Sequence, residues 1–182
     1  MKTRSDADKL MKEHVSSDSL RKHMYSVEAI MKFYANKFGE DEDLFAITGL
    51  LHDMDYEKFP DKHPQVAITL LSDLGYDNRI VQAIDFHAKH NPKDFPTLLD
   101  KTLWASDEIS GFVTAVTLVR PNKKISEVEV SSVKKKMKDK AFAKAISRDD
   151  LILGAEVLGL SLDDHLTNVI CAMQGISSDL GL

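Results

Sequence analysis

The chain has 182 residues, of which 43% are hydrophobic and 29% charged, and a net charge of −5. That length corresponds to about one domain, and the apolar share argues against a mainly disordered chain. The single cysteine, Cys171, excludes an internal disulfide and a cysteine-based zinc site, and it fits a reducing compartment.

The chain opens Met-Lys-Thr-Arg-Ser-Asp-Ala-Asp-Lys, a basic start with no apolar stretch behind it, so no secretory signal is expected. Leu20, Met24, Val27, Met31, Tyr34 and Phe38 then recur in steps of three and four, which predicts a helix with one buried face. Asp18 is placed to cap it and Gly39 to end it. A second helix is expected over Leu44 to Asp53, with Asp41 or Glu42 near its start. Pro64 suits the first position of a third helix, which runs to Leu74 and stops at Gly75. Asp77 caps a fourth carrying Ile80, Ile84 and His87, and Pro96 opens a long fifth through Leu99, Leu103 and Asp107.

In the last third, Ser126/Glu129, Ser147/Asp150 and Ser161/Asp164 each form a Ser-x-x-acid pair that marks a helix start. The longest nearly apolar run, Ile109 to Val119, is 11 residues, short of the roughly 20 that span a bilayer. The expectation is an all-α, soluble, cytoplasmic single domain over 1–182, with about eight to ten helices. Charge is uneven along it. Residues 120–148 carry ten Lys/Arg against three acids, or +7, which leaves −12 for the rest. Such a run is usually a solvated helix face; folded back over a cleft, it would favour an anionic ligand. Only Phe142 interleaves with these lysines, so a nucleic-acid stacking surface is not expected.

The chemistry gathers on histidine and aspartate. His52 and Asp53 are adjacent at the end of an apolar helix. Neighbours on a regular helix point about 100° apart, so both can reach one metal only at a terminus or irregularity. His23 borders the stripe of the first helix, while Asp107 and His87 continue apolar stripes of theirs. A carboxylate in line with leucines needs a partner. His63 stands just before Pro64, at a helix entrance. Nitrogen and oxygen ligands of this mixture suit Fe, Mn, Zn, Co, Ni or Mg. His90, three residues after His87, could face the same place or lie in the Asn91-Pro92 loop; His14 and His165 are read as surface residues.

The order His23, His52-Asp53, Asp107 resembles the H…HD…D pattern of the HD-domain metal-dependent phosphohydrolases. The strings Leu20-Arg21-Lys22-His23-Met24, Leu50-Leu51-His52-Asp53 and Ala105-Ser106-Asp107-Glu108 carry the likeness, which covers about residues 17–120. The resemblance implies an HD-domain-like helical bundle with one or two divalent ions between helices, and with residues 121–182 as further helices that could cover the cleft. It also implies hydrolysis of a phosphate mono- or diester, commonly of a nucleotide, by metal-activated water. In two-metal members Asp53 would bridge, with His23, His52 and Asp107 on one ion and His63 and His87 on the other. Lys58, Lys62 and Lys89 are candidates to offset phosphoryl charge, and Glu108 to orient a ligand or water. The Gly-Tyr-Pro signature of one cyclic-dinucleotide subgroup is absent, and Tyr56 stands where the deoxynucleotidase branch has glutamate.

The expected partner is a small phosphorylated substrate such as a nucleotide, with no stable nucleic-acid complex and no membrane; the chain could pair as a homodimer. The alternative is a non-catalytic nucleotide-binding or regulatory module, and the complete ligand set favours the enzyme.

Overall fold

The computed structural model describes residues 2–88 and 92–182, and these are helical with no strand. In chain order the helices are α1 (Arg4–His14), α2 (Asp18–Phe38), α3 (Glu42–Leu51), α4 (Gln65–Asp73), α5 (Asn78–His87), α6 (Leu98–Leu118), α7 (Val130–Met137), α8 (Arg148–Val157), α9 (Leu162–Gln174) and α10 (Ser177–Leu180). None among the described residues is long and apolar enough to cross a membrane.

α2 and α6, each 21 residues and so roughly 30 Å long, are the spine. Met24, Val27, Met31 and Ala35 of α2 enter one core, with apolar side chains of α1, α3, α4 and α5. Ile30 and Tyr34, on its other flank, enter a second core with α6, α7, α8 and α9. α6 is divided in the same way: Leu99 and Leu103 face the first core, while Ala105, Ile109, Phe112, Val113 and Val116 face the second. The single buried face expected of α2 is therefore two faces, and its ends, Leu20 and Phe38, are only partly buried.

Several boundaries shift from expectation for local reasons. Ser17, not Asp18, caps α2, its Oγ accepting from the Leu20 N–H at 3.3 Å; Asp18 instead pairs with Lys22 one turn on. Thr97 and Asp100 form a reciprocal capping box that starts α6 after Pro96. Gly39 and Gly75, at φ 74° and 72°, end α2 and α4 in the left-handed region. Ser126 caps no helix. Residues 125–127 form a 3-10 turn and Val128 is extended, which lets Ile125 and Val128 both enter the second core before α7 begins at Val130.

Glycine sets the tightest helix contact. A Cβ on Gly49 of α3 would lie 2.9 Å from Met31 Cγ and 3.0 Å from Glu28 Cα and N of α2. Two of those three atoms are backbone, which cannot rotate away. Gly49→Ala is expected to cost about 1–3 kcal/mol as overpacking, read as a lowered urea midpoint at unchanged slope.

His165 is a correction: it is fully buried in α9, not on the surface. Its Nε2 donates to the Ala105 carbonyl of α6 at 3.1 Å, so Nδ1 accepts from the Tyr34 hydroxyl of α2 at 2.5 Å. Burial pushes its pKa down from the ordinary 6.5 to about 4, against the opposing bond to Ala105. Between those values the unfolded chain binds the proton more readily, so stability is complete above pH 6.5 and declines as pH falls toward 4. That change amounts to about 3 kcal/mol. Urea denaturation in chelator at pH 7 and pH 4.5 should show a smaller acid loss in His165→Gln than in the wild type; equal losses would contradict this assignment.

Candidate metal centre

α3 is apolar all round, with Phe45 to Leu51 buried. It stops at Leu51, and His52 at its C-terminal boundary keeps helical dihedrals before the chain turns through residues 53–58. That break lets His52 and Asp53, adjacent in sequence, reach a single centre. α2 brings His23, α5 ends on His87, α6 brings Asp107, and His63 stands at the entrance to α4.

The ligand atoms form two triads, His23/His52/Asp107 and Asp53/His63/His87. In the first, His23 Nε2 lies 3.2 Å from His52 Nε2 and 3.0 Å from Asp107 Oδ1, and His52 Nε2 lies 3.5 Å from the same oxygen. In the second, the Nε2 atoms of His63 and His87 are 3.2 Å apart, at 3.4 and 3.6 Å from Asp53 Oδ1. The other oxygen of Asp53, Oδ2, lies 3.7 Å from His23 Nε2 and 3.6 Å from His52 Nε2. Asp53 thus turns one oxygen to each triad. Ligands bonded at about 2.1 Å to one first-row ion stand about 3–3.5 Å apart, so these separations fit two neighbouring ions.

The outer ring nitrogens decide which atoms face inward. His52 Nδ1 donates to the Gly49 carbonyl at 2.8 Å, and His87 Nδ1 to the Ile84 carbonyl at 2.5 Å. His63 Nδ1 donates to Asp55 Oδ1 at 2.7 Å. Ser110 Oγ donates to the Asp107 carbonyl and so accepts from His23 Nδ1 at 3.2 Å. With each Nδ1 committed outward, the four Nε2 atoms are left facing one another and the two carboxylates. Such a cluster holds together around shared protons or a cation, and it suits a metal well.

The field agrees with the geometry. Burial opposes charge on His52, yet Asp53 and Asp107 outweigh it and raise its pKa to about 9. Asp53 is held down to about 2, mainly by His52 against the effect of burial. Asp107 is held well below the carboxylate range by hydrogen bonds from His23 and His52, again against burial. The negative potential that would draw a proton to His52 draws a divalent cation equally. Partial desolvation in the cleft raises the Glu108 carboxyl, with Asp107 and Asp150 adding to it.

The triads open into a cleft of about 600 Å³, whose far wall includes Trp104, Glu108, Ala145, Ile146 and Asp150. Tyr56 stands half exposed at the mouth, edge-on to His63 at 5.3 Å. Residues from the basic segment do reach the cleft, but its lysines and arginines do not line it. Lys134 pairs with Asp163 at 2.6 Å, and Lys136 sits 4.8 Å over the Phe142 ring. The Arg148 guanidinium is taken up by the carbonyls of Asp139, Phe142, Ala143 and Ile146, and it lies over Phe112. The basic segment thus presents Ala145, Ile146 and Ser147 to the cleft, and the alternative in which its charge folds over the cleft does not hold.

His23, His52, Asp53, His63, His87 and Asp107 come together, and Glu108 joins them in the cleft. Lys58 and Lys62 do not. Lys58 Nζ reaches the Glu13 carbonyl at 3.3 Å, and Lys62 lines a separate depression with His14 and Gln65. Both follow the turn after Asp53 outward rather than inward. Lys89 and His90 lie outside the described residues.

Sequence reasoning missed the residues that aim the ligands. Asp55 is 2% exposed; besides His63 it accepts the Ala67 N–H at 2.8 Å. Its signal was a second aspartate two places after Asp53. Gly49 was signalled by a glycine inside an apolar helix, where it costs about 1 kcal/mol relative to alanine.

The family model described as HD domain matches residues 20–151, well over half of the chain. No curated protein and no solved structure matches.

Asp55→Ala removes the acceptor that fixes His63. Losing such a partner typically weakens metal affinity by about 10–100-fold. Metal retained after a mild chelator wash is expected to fall from about two ions per chain to about one, and an unchanged count would contradict the aiming role.

Proposed function

Because the chain belongs to the HD domain family, we propose that it is a metal-dependent phosphohydrolase, cleaving a phosphate mono- or diester of a nucleotide or related small molecule. That family includes metal-dependent hydrolases, and the His/Asp groups of this chain could hold a divalent metal. The observation that carries the reading is Asp53, with Oδ1 toward one pair of imidazoles and Oδ2 toward another. Divalent ions bound there supply water acidified toward neutrality and positive charge against the phosphoryl oxygens.

The chain's own residues have distinct tasks. His23, His52 and Asp107 would hold one ion and His63 and His87 the other, with Asp53 turning an oxygen to each group. Asp55, Ser110 and the carbonyls of Gly49 and Ile84 keep all four Nε2 atoms aimed inward. Glu108, next to Asp107, orients a water or a substrate hydroxyl from the cleft side. Tyr56 and Trp104 narrow the opening around the ester. The reaction takes place on a small soluble substrate in the cytoplasm.

The test is turnover of an aryl phosphate and a panel of nucleotides with Mn, Fe, Co, Ni or Mg added, alongside elemental analysis of protein purified without chelator. Turnover with at least one metal, and a count near two, are expected. Asp53→Ala and His52→Ala should each lose bound metal and reduce kcat/KM by at least about 100-fold. Stoichiometric metal with no turnover under any condition would favour the binding module instead.

A further inference from the structure

The cleft wall facing the histidines comes from two helices in close contact. A Cβ at Gly154 of α8 would stand 3.3 Å from both the Cα and Cβ of Ala105 in α6. Four residues before Gly154 is Asp150, and three after Ala105 is Glu108. The contact that closes α8 onto α6 therefore brings both carboxylates to the same wall. No cation among the described residues pairs with either one, and the nearest basic side chain in sequence, Arg148, is fully engaged with backbone carbonyls. Trp104 and Gly111 extend this face of α6 one turn in each direction, giving a flat indole on one side and room on the other.

This wall constrains what can occupy the cleft. Two divalent ions against Asp53 and Asp107 leave a charge of +2, which one phosphoryl dianion balances. Whatever is attached to that phosphoryl group shares the cleft with Glu108 and Asp150. Ionised carboxylates accept hydrogen bonds from hydroxyl or amino groups and repel further phosphates.

Building on the phosphohydrolase reading, we propose that Glu108 and Asp150 determine specificity. They select a phosphate monoester with one phosphoryl group, carried by an alcohol rich in hydroxyl or amino donors, and they reject polyphosphate chains. The hydrolysis itself is ordinary: water adds to phosphorus, the P–O bond to the alcohol breaks, and the alcohol leaves with a proton.

The experiment measures kcat/KM in the metal-loaded protein for two matched comparisons. One sets a nucleoside 5′-monophosphate against the triphosphate of the same nucleoside. The other sets glycerol 1-phosphate and 2-aminoethyl phosphate against propyl phosphate, which lacks donors but has a similar leaving group. Each is repeated in Glu108→Gln, Asp150→Asn and the double variant. Preferences of roughly tenfold or more for the monophosphate, and for at least one donor-bearing ester, are expected in the wild type, and the double variant should narrow both by about tenfold. The better of the two donor esters identifies the donor as hydroxyl or amine. Because each readout is a ratio within one protein, partial loss of folded enzyme cancels. Equal or better turnover of the triphosphate, no advantage over propyl phosphate, or ratios unmoved in the double variant would overturn the assignment. Turnover without these preferences defeats this inference alone, whereas no turnover of any ester defeats the phosphohydrolase reading beneath it.

Discussion

Four imidazole Nε2 atoms turned inward around two carboxylates form an arrangement that a folded chain can hold only at electrostatic cost. Partly buried anions need compensation, and here the outer nitrogens are committed to acceptors elsewhere. The hydrogen bonds from Nδ1 to Gly49, Ile84, Asp55 and Ser110 hold the rings in this orientation. All four anchors are, or are held by, the backbone: two are helical carbonyls, Asp55 is fixed by the Ala67 N–H, and Ser110 by the Asp107 carbonyl. The strain of the site is thus spread over helix termini whose stability comes from two apolar cores. A divalent cation would displace the protons shared in this cluster and take over as the counter-charge, so metal binding and stability of the fold should be linked.

The spine explains why two long helices are needed. Both α2 and α6 contribute to each core, and each also carries one ligand to the first triad. His23 is placed by the packing of Met24 and Val27, which follow it on α2, and Asp107 by Leu103 and Ile109 along α6. The buried link from Tyr34 through His165 to the Ala105 carbonyl joins α2, α9 and α6 just two residues from Asp107. The C-terminal helices therefore brace the helix that presents the ligand, although they supply none themselves.

Much of this was legible in the sequence because helical period and turn chemistry are local. Gly39, Gly75 and Asp77 act where their residue types require, and the six candidate ligands share a pattern that no single one carries. The failures came where distant contacts decide. Ser126 followed by Glu129 has the form of a capping box, but burial of Ile125 and Val128 pulls that stretch out of helix. His165 carries no sequence mark of its burial, since its partners lie 131 and 60 residues away. The lysines were read by their proximity in sequence to Asp53, yet the turn after Asp53 directs Lys58 and Lys62 outward. In the basic segment, Arg148 is spent on organising a turn, so charge counted along the chain did not become charge in the cleft.

Gly49 has two roles that meet in one residue. Its missing side chain lets α3 lie against the backbone of α2, and its carbonyl orients His52. Helix spacing and ligand aim are in effect geared together: a shift of α3 along α2 also rotates the imidazole. Substitutions that remodel this interface, even at positions remote from the cleft, therefore act as adjustments of the metal centre. A search for tolerated change in this protein would find the α2–α3 seam almost as restricted as the ligands themselves.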